Sequence, residues 1–113
     1  MFQTNWKKLS TDAKRKEYEK IKLEFPHHTP VIVFAPDELK LNKHKFLIQK
    51  DMTVGQFMYI LRSRITIHEN DAIFLFVNNS MVSVSQLISI VYKEHKSECG
   101  FVYFHLQKES TFG

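Results

Sequence analysis

Two apolar runs in the first half of the chain lie too close together for a long crossover. Val31-Ile32-Val33-Phe34 is β-branched and aromatic, and Lys43-His44-Lys45-Phe46-Leu47-Ile48-Gln49 carries an apolar centre of its own. Both have the composition of strands. Ala35-Pro36-Asp37-Glu38 breaks the first run, and eight residues separate Phe34 from Lys43. A parallel connection takes a dozen or more, so this spacing favours an antiparallel pair. The rest of the fold has to build on that hairpin.

A helix start follows at once. Thr53-Val54-Gly55-Gln56 has the Thr-x-x-Gln form of a capping box. It opens a helix running to Ile65, with Phe57, Ile60, Leu61 and Ile65 as the buried stripe. Ile73-Phe74-Leu75-Phe76-Val77 is apolar throughout, which predicts a central strand covered on both faces. Asn78-Asn79-Ser80 turns the chain. A second pattern, Ser83-x-x-Gln86, predicts a helix from about Ser85 to His95, and residues 100–108 predict the last strand. Upstream, residues 10–25 predict a helix capped by Ser10, Thr11 or Asp12 and stopped by Pro26, with Tyr18, Ile21 and Phe25 on one stripe. Beyond that helix the order is strand, strand, helix, strand, helix, strand. It matches an α+β architecture, the ubiquitin-like β-grasp: a mixed four-stranded sheet with two helices plus an N-terminal helical extension. Residues 1–25 form the extension, and 26–113 the ubiquitin-like domain with a C-terminal tail.

Composition narrows the function. The 113 residues fit one domain. No stretch approaches the roughly 18 apolar residues of a membrane span, and the N-terminus lacks the apolar centre of a signal peptide. Cys99 is the single cysteine and suits a reducing compartment. It has no evident base beside it, so no catalytic role is expected. The six histidines show no metal-ligand spacing, and there is no phosphate loop or dinucleotide fingerprint. An enzyme is therefore not expected. The net charge is +4, and residues 1–25 hold seven Lys or Arg against four acids. A basic face suits acidic partners or anionic lipid, but a solvated helix carries the same mixture of charges.

The sequence closes on Glu109-Ser110-Thr111-Phe112-Gly113. Glycine has no Cβ, so a carboxylate there passes a narrow enzyme channel; a tail trimmed at that point gives the same ending. Other segments weigh on the choice: Glu17-Tyr18-Glu19-Lys20-Ile21, Pro30-Val31-Ile32-Val33, Lys45-Phe46-Leu47-Ile48, Thr53-Val54-Gly55-Gln56-Phe57, Arg62-Ser63-Arg64-Ile65, Phe74-Leu75-Phe76-Val77-Asn78-Asn79, Gly100-Phe101-Val102-Tyr103 and Thr111-Phe112-Gly113. In this order, and over essentially the whole chain, the sequence resembles the ubiquitin-like autophagy modifiers. These are the GABARAP and microtubule-associated light-chain-three proteins of animals and their fungal, plant and protist relatives. It departs from them at Cys99-Gly100, where the family usually has Asp-Gly, and before Glu17, where the match is poor.

The resemblance implies a modifier whose Gly113 is activated by an E1-like enzyme, passed to an E2-like enzyme and joined to phosphatidylethanolamine. No other cofactor is implied. A cysteine protease trims longer precursors in the family. From about Lys108 the five remaining residues reach roughly 17 Å. The resemblance also implies docking of receptor peptides of the form aromatic-x-x-aliphatic along the second strand. Carried over, the aromatic pocket comprises Glu17, Ile21, Pro30, Ile32, Lys45, Leu47 and Phe101. The aliphatic pocket comprises Phe46, Ile48, Met52, Phe57, Ile60 and Leu61, and Lys43, Lys45 and Arg64 meet acids upstream of the motif. For Phe57, Ile60 and Leu61 plain core is an equal reading. The implied localisation is cytoplasmic, and autophagosomal once lipidated, reaching the lysosome or vacuole. The unlipidated form is implied to be a monomer with no nucleic-acid partner. The alternative is an unconjugated ubiquitin-like adaptor in trafficking or on microtubules, which needs the peptide groove but not Gly113.

Overall fold

The computed structural model describes residues 1–109. In chain order the elements are α1 (Phe2–Lys8), α2 (Thr11–Glu24), β1 (His28–Phe34), a single 3-10 turn (Asp37–Leu39), β2 (Lys45–Gln49), α3 (Val54–Arg62), β3 (Ala72–Val77), β4 (Ser80–Met81), α4 (Ile88–His95) and β5 (Val102–Glu109). The β-grasp order is as expected, and the sheet is mixed, in the order β2-β1-β5-β3-β4. β1 pairs antiparallel with β2 and parallel with β5. β4 is a strand beyond the four that the sequence predicts. It is two residues long and forms because Asn78 and Asn79 both take positive φ, which lets Ser80 and Met81 fold back on Val77 and Phe76.

Strand alternation divides the core. Val31 and Val33 point to the face carrying α3, where Phe57, Leu61, Leu75, Phe104 and Leu106 are buried. Ile32 and Phe34 point the other way, into a smaller cluster with Trp6, Cys99 and Phe101. Two-sided burial therefore falls on β1, not on residues 73–77 as their apolar run predicts. β3 buries Ile73, Leu75 and Val77 but leaves Phe74 and Phe76 half-exposed. The reason is coverage: the smaller cluster, built under the N-terminal helices, reaches Tyr103 on β5 and does not include Phe74 or Phe76.

The N-terminal extension is fastened by side chains. Trp6 is buried and its Nε1 donates to the Tyr103 hydroxyl at 3.0 Å. Gln3 Oε1 accepts from the Ala35 amide at 2.6 Å. Ser10 caps α2, accepting from the Ala13 amide at 3.1 Å. Tyr18 and Ile21 pack on the smaller cluster, whereas Phe25 falls off the predicted stripe: it is the C-cap residue, and it is exposed.

The two capping-box patterns had different fates. Thr53 Oγ1 accepts from the Gln56 amide and Gln56 Oε1 accepts from the Thr53 amide, closing both bonds of the box at the start of α3. Replacing Thr53 by alanine is expected to cost about 1 kcal/mol, measured by denaturant unfolding. Ser83 and Gln86 make a similar side-chain bond, yet no helix starts there. The backbone of the following residues is already engaged with the start of α3: Gly55 N donates to Val84 O, Val54 N to Gln86 O, and Ile88 N to Met52 O. A single turn results, closed by Gln86 N donating to Ser83 O, and α4 begins only at Ile88 with Leu87 as its uncapped N-cap.

Candidate peptide-docking site

Among the described residues β2 has a strand partner on one side only, so its outer edge offers backbone groups to an added strand. Its register with β1 sets Pro30 opposite Leu47 and Ile32 opposite Lys45, so these four share the face toward α2. There the surface dips into a pocket of about 320 Å³ lined by Ile21, Pro30, Val31, Lys43, Lys45, Phe46, Leu47 and Phe101. Five of the seven residues assigned to the aromatic pocket line it. Ile32 does not: it is fully buried beneath, in the smaller cluster. Glu17 enters through an ion pair with Lys45. Leu47, 38% exposed, is the large apolar side chain of β2 that a ligand meets first.

Residues assigned to the aliphatic pocket lie on the opposite face of β2. Phe46, Ile48, Phe57 and Leu61 are buried in the main core, with Phe46 and Phe57 edge to face at 5.2 Å. Met52 and Ile60 are partly buried and pack against that cluster. Phe57 and Leu61 have no exposed surface, so they form the foundation of this patch, and Met52 and Ile60 carry its accessible part. The cations assigned to upstream acids separate into two settings. Lys43 lies 5.0 Å from the Phe46 ring centroid and Arg64 lies 6.0 Å from it, flanking one ring. Lys45 is instead drawn toward α1 and α2.

Behind the pocket stands a layer of aromatic rings that the motif segments did not reveal. Phe101 meets Trp6 edge to face at 5.3 Å and Tyr18 at 5.6 Å. Lys45 Nζ sits 5.0 Å from the Trp6 ring and 5.7 Å from Phe2, and Phe2 stacks on His44 at 4.8 Å. Burial pushes the Tyr103 phenol upward, and its hydrogen bond with Cys99 adds to that. It therefore stays protonated while accepting from Trp6. Tyr92 is raised likewise by burial and by its hydroxyl bond with Tyr18. No signal in the local sequence links Trp6 to Lys45 or Phe101; the hint is Phe2 and Trp6, four residues apart in a helix whose other residues are polar.

Gly113, the assigned conjugation residue, lies outside the described residues. The strand before it is well fixed: Glu109 pairs with Ala72, and Lys108 Nζ lies 3.9 Å from carboxylate oxygens of both Glu38 and Asp71.

Residues 13–113 match the family model described as autophagy protein Atg8, ubiquitin-like. Autophagy-related protein 8 of Schizosaccharomyces pombe is 38% identical over 108 residues, covering 93% of this chain and 89% of that protein. Autophagy-related protein 8a of Arabidopsis thaliana is 40% identical over 105 residues, covering 90% and 86%. Among solved structures, Trypanosoma brucei ATG8 superposes with a TM-score of 0.82 at 28% identity, covering 94% of each chain. Plasmodium falciparum Atg8 in complex with a Plasmodium falciparum Atg3 peptide gives a TM-score of 0.79 at 28% identity, covering 92% of this chain and 94% of that one.

Proposed function

This chain belongs to the Atg8 family of ubiquitin-like autophagy proteins, and we propose that it works as a lipid-conjugated modifier that collects peptide-bearing partners on autophagosomal membranes. Two ends of the molecule divide the work. Gly113 supplies the carboxylate that E1-like and E2-like enzymes activate and join to phosphatidylethanolamine. Two acyl chains then hold the protein on the bilayer, where one chain gives only marginal binding. β2 supplies the recognition edge.

The observation that carries the reading is the pocket between α2 and β2, set directly beside an unpaired strand edge. An extended peptide adding to β2 gains main-chain hydrogen bonds, and its alternate side chains meet the pockets. An aromatic side chain fits between Ile21, Pro30, Leu47 and Phe101. An aliphatic one three residues on meets the patch of Met52 and Ile60 over Phe46 and Ile48. Lys43 and Arg64 attract acids upstream of the motif, which speeds encounter and selects among ligands more than it adds affinity. The Plasmodium relative was solved with an Atg3 peptide; a peptide from an E2-like partner is thus one occupant for this edge, and receptors with aromatic-x-x-aliphatic motifs are others.

The test is calorimetric titration with an acidic Trp-x-x-Leu peptide. Leu47→Ala is expected to lose about 1–3 kcal/mol of binding free energy, and Lys45→Glu to weaken binding further at low salt than at high salt. Titration curves unchanged in both variants would exclude this docking site.

A further inference from the structure

The geometry points to Trp6 as a specificity-determining residue of the peptide pocket, acting from behind it through Lys45 and Phe101. This rests on the peptide-docking reading above and extends it to a helix outside the groove. Trp6 is 3% exposed, and none of its ring lines the pocket. Yet it touches two residues that do. Its face receives the Lys45 ammonium at 5.0 Å, and the Phe101 ring meets it edge to face at 5.3 Å with an interplanar angle of 90°.

Lys45 is the variable element in the pocket. Its stem lines the wall, and its ammonium has two directions available: back toward Trp6, Phe2 and Glu17, or out over the groove. The first leaves an apolar slot for an aromatic side chain. The second puts a strongly hydrated charge where that side chain must go. An indole face is the best neutral partner for an ammonium, and Trp6 is itself fixed by its bond to the Tyr103 hydroxyl at 3.0 Å. Glu17 alone is a weaker anchor, because the ion pair is about one-third exposed on each side. Trp6 thus keeps Lys45 parked, and it keeps Phe101 upright as the opposite wall. Helix α1 in this way sets which aromatic side chain the pocket accepts.

The experiment is a double-mutant cycle on peptide affinity. Trp6→Ala is expected to weaken an acidic Trp-x-x-Leu peptide about five- to tenfold, the scale of a partly desolvated cation–π contact. Trp6→Phe, which keeps a ring face but loses the Tyr103 bond, restores most of that loss. In a Lys45→Met background, where the stem remains and the charge is gone, the Trp6→Ala loss shrinks to about twofold or less. A loss of equal size with and without the Lys45 charge would overturn the assignment and leave Trp6 as packing only. So would a Trp6→Phe variant as weak as Trp6→Ala. If Trp6→Ala is too unstable to titrate, Trp6→Leu, which keeps apolar volume and loses the ring face, is run through the same cycle, and absence of any coupling to Lys45 overturns it equally. A wild-type chain that binds no such peptide overturns the docking reading itself, and this inference with it.

Discussion

Deleting Gly113 is expected to abolish formation of the proposed phosphatidylethanolamine conjugate and to leave the folded domain as stable as before. The expectation follows from how the end of β5 is held. Glu109 is still in register with Ala72, and Lys108 is held between Glu38 and Asp71. From there to Gly113 is four residues, at most about 14 Å of chain. In the proposed function these residues carry a carboxylate into the active sites of other enzymes, a task that does not draw on the core. With Gly113 gone the carboxylate belongs to Phe112, which brings a Cβ and a ring to the acyl carbon and shortens the reach by one residue. Glycine is the residue that lets backbone approach closely without a side chain in the way, so Gly113→Ala is expected to fail as well. The measurement is reconstitution with the E1-like and E2-like enzymes and liposomes containing phosphatidylethanolamine, with flotation and intact mass as readouts. Conjugate formed by the deletion variant at the wild-type rate would remove the lipid half of the proposed function. Peptide binding that persists in that variant would then favour the unconjugated adaptor.

How far the sequence could be read depends on the range of the interactions involved. The Thr53–Gln56 box was legible because all its partners lie within four residues. The Ser83–Gln86 pattern looks the same on paper, but its continuation is decided by backbone bonds to Met52, Val54 and Gly55, some thirty residues away. Hydrophobicity located the strands and could not rank them. Residues 73–77 are more uniformly apolar than 102–106, yet β5 takes the centre and β3 keeps two half-exposed phenylalanines, because a residue's cover comes from helices that its own segment does not encode. In the pocket, the residues carried by family resemblance were largely the ones the structure gathers: Ile21, Pro30, Lys45, Leu47 and Phe101. Ile32 is missing from the lining because alternation along β1 turns it toward the smaller cluster, under Trp6 and Phe101. The Trp6 layer escaped altogether, since it belongs to the stretch where the resemblance is weakest.

Gly100→Ala is expected to destabilise the fold by about 2–4 kcal/mol, through backbone and packing together. Gly100 has a φ of 106°, a conformation that an L side chain enters only with strain. It closes the turn between α4 and β5: its amide donates to Ser97 O, and the Ser97 amide and hydroxyl both donate to Phe101 O. A Cβ built there would stand 2.5 Å from two ring carbons of Tyr18. The ring has little freedom to step aside. Its hydroxyl is bonded to the Tyr92 hydroxyl on α4, and its edge packs against Phe101. The methyl group must therefore either displace α2 or twist the turn, and both routes disturb Phe101, a wall of the pocket between α2 and β2. In a thermal melt the variant should fall by roughly 10 °C. Removing the obstruction separates the two causes. In a Tyr18→Ala background the added cost of Gly100→Ala should drop to the backbone part alone, about half the original, since the positive φ remains and the ring is gone. A Gly100→Ala melt within about 2 °C of wild type would show that the turn relaxes freely, and that Tyr18 does not tie α2 to the start of β5.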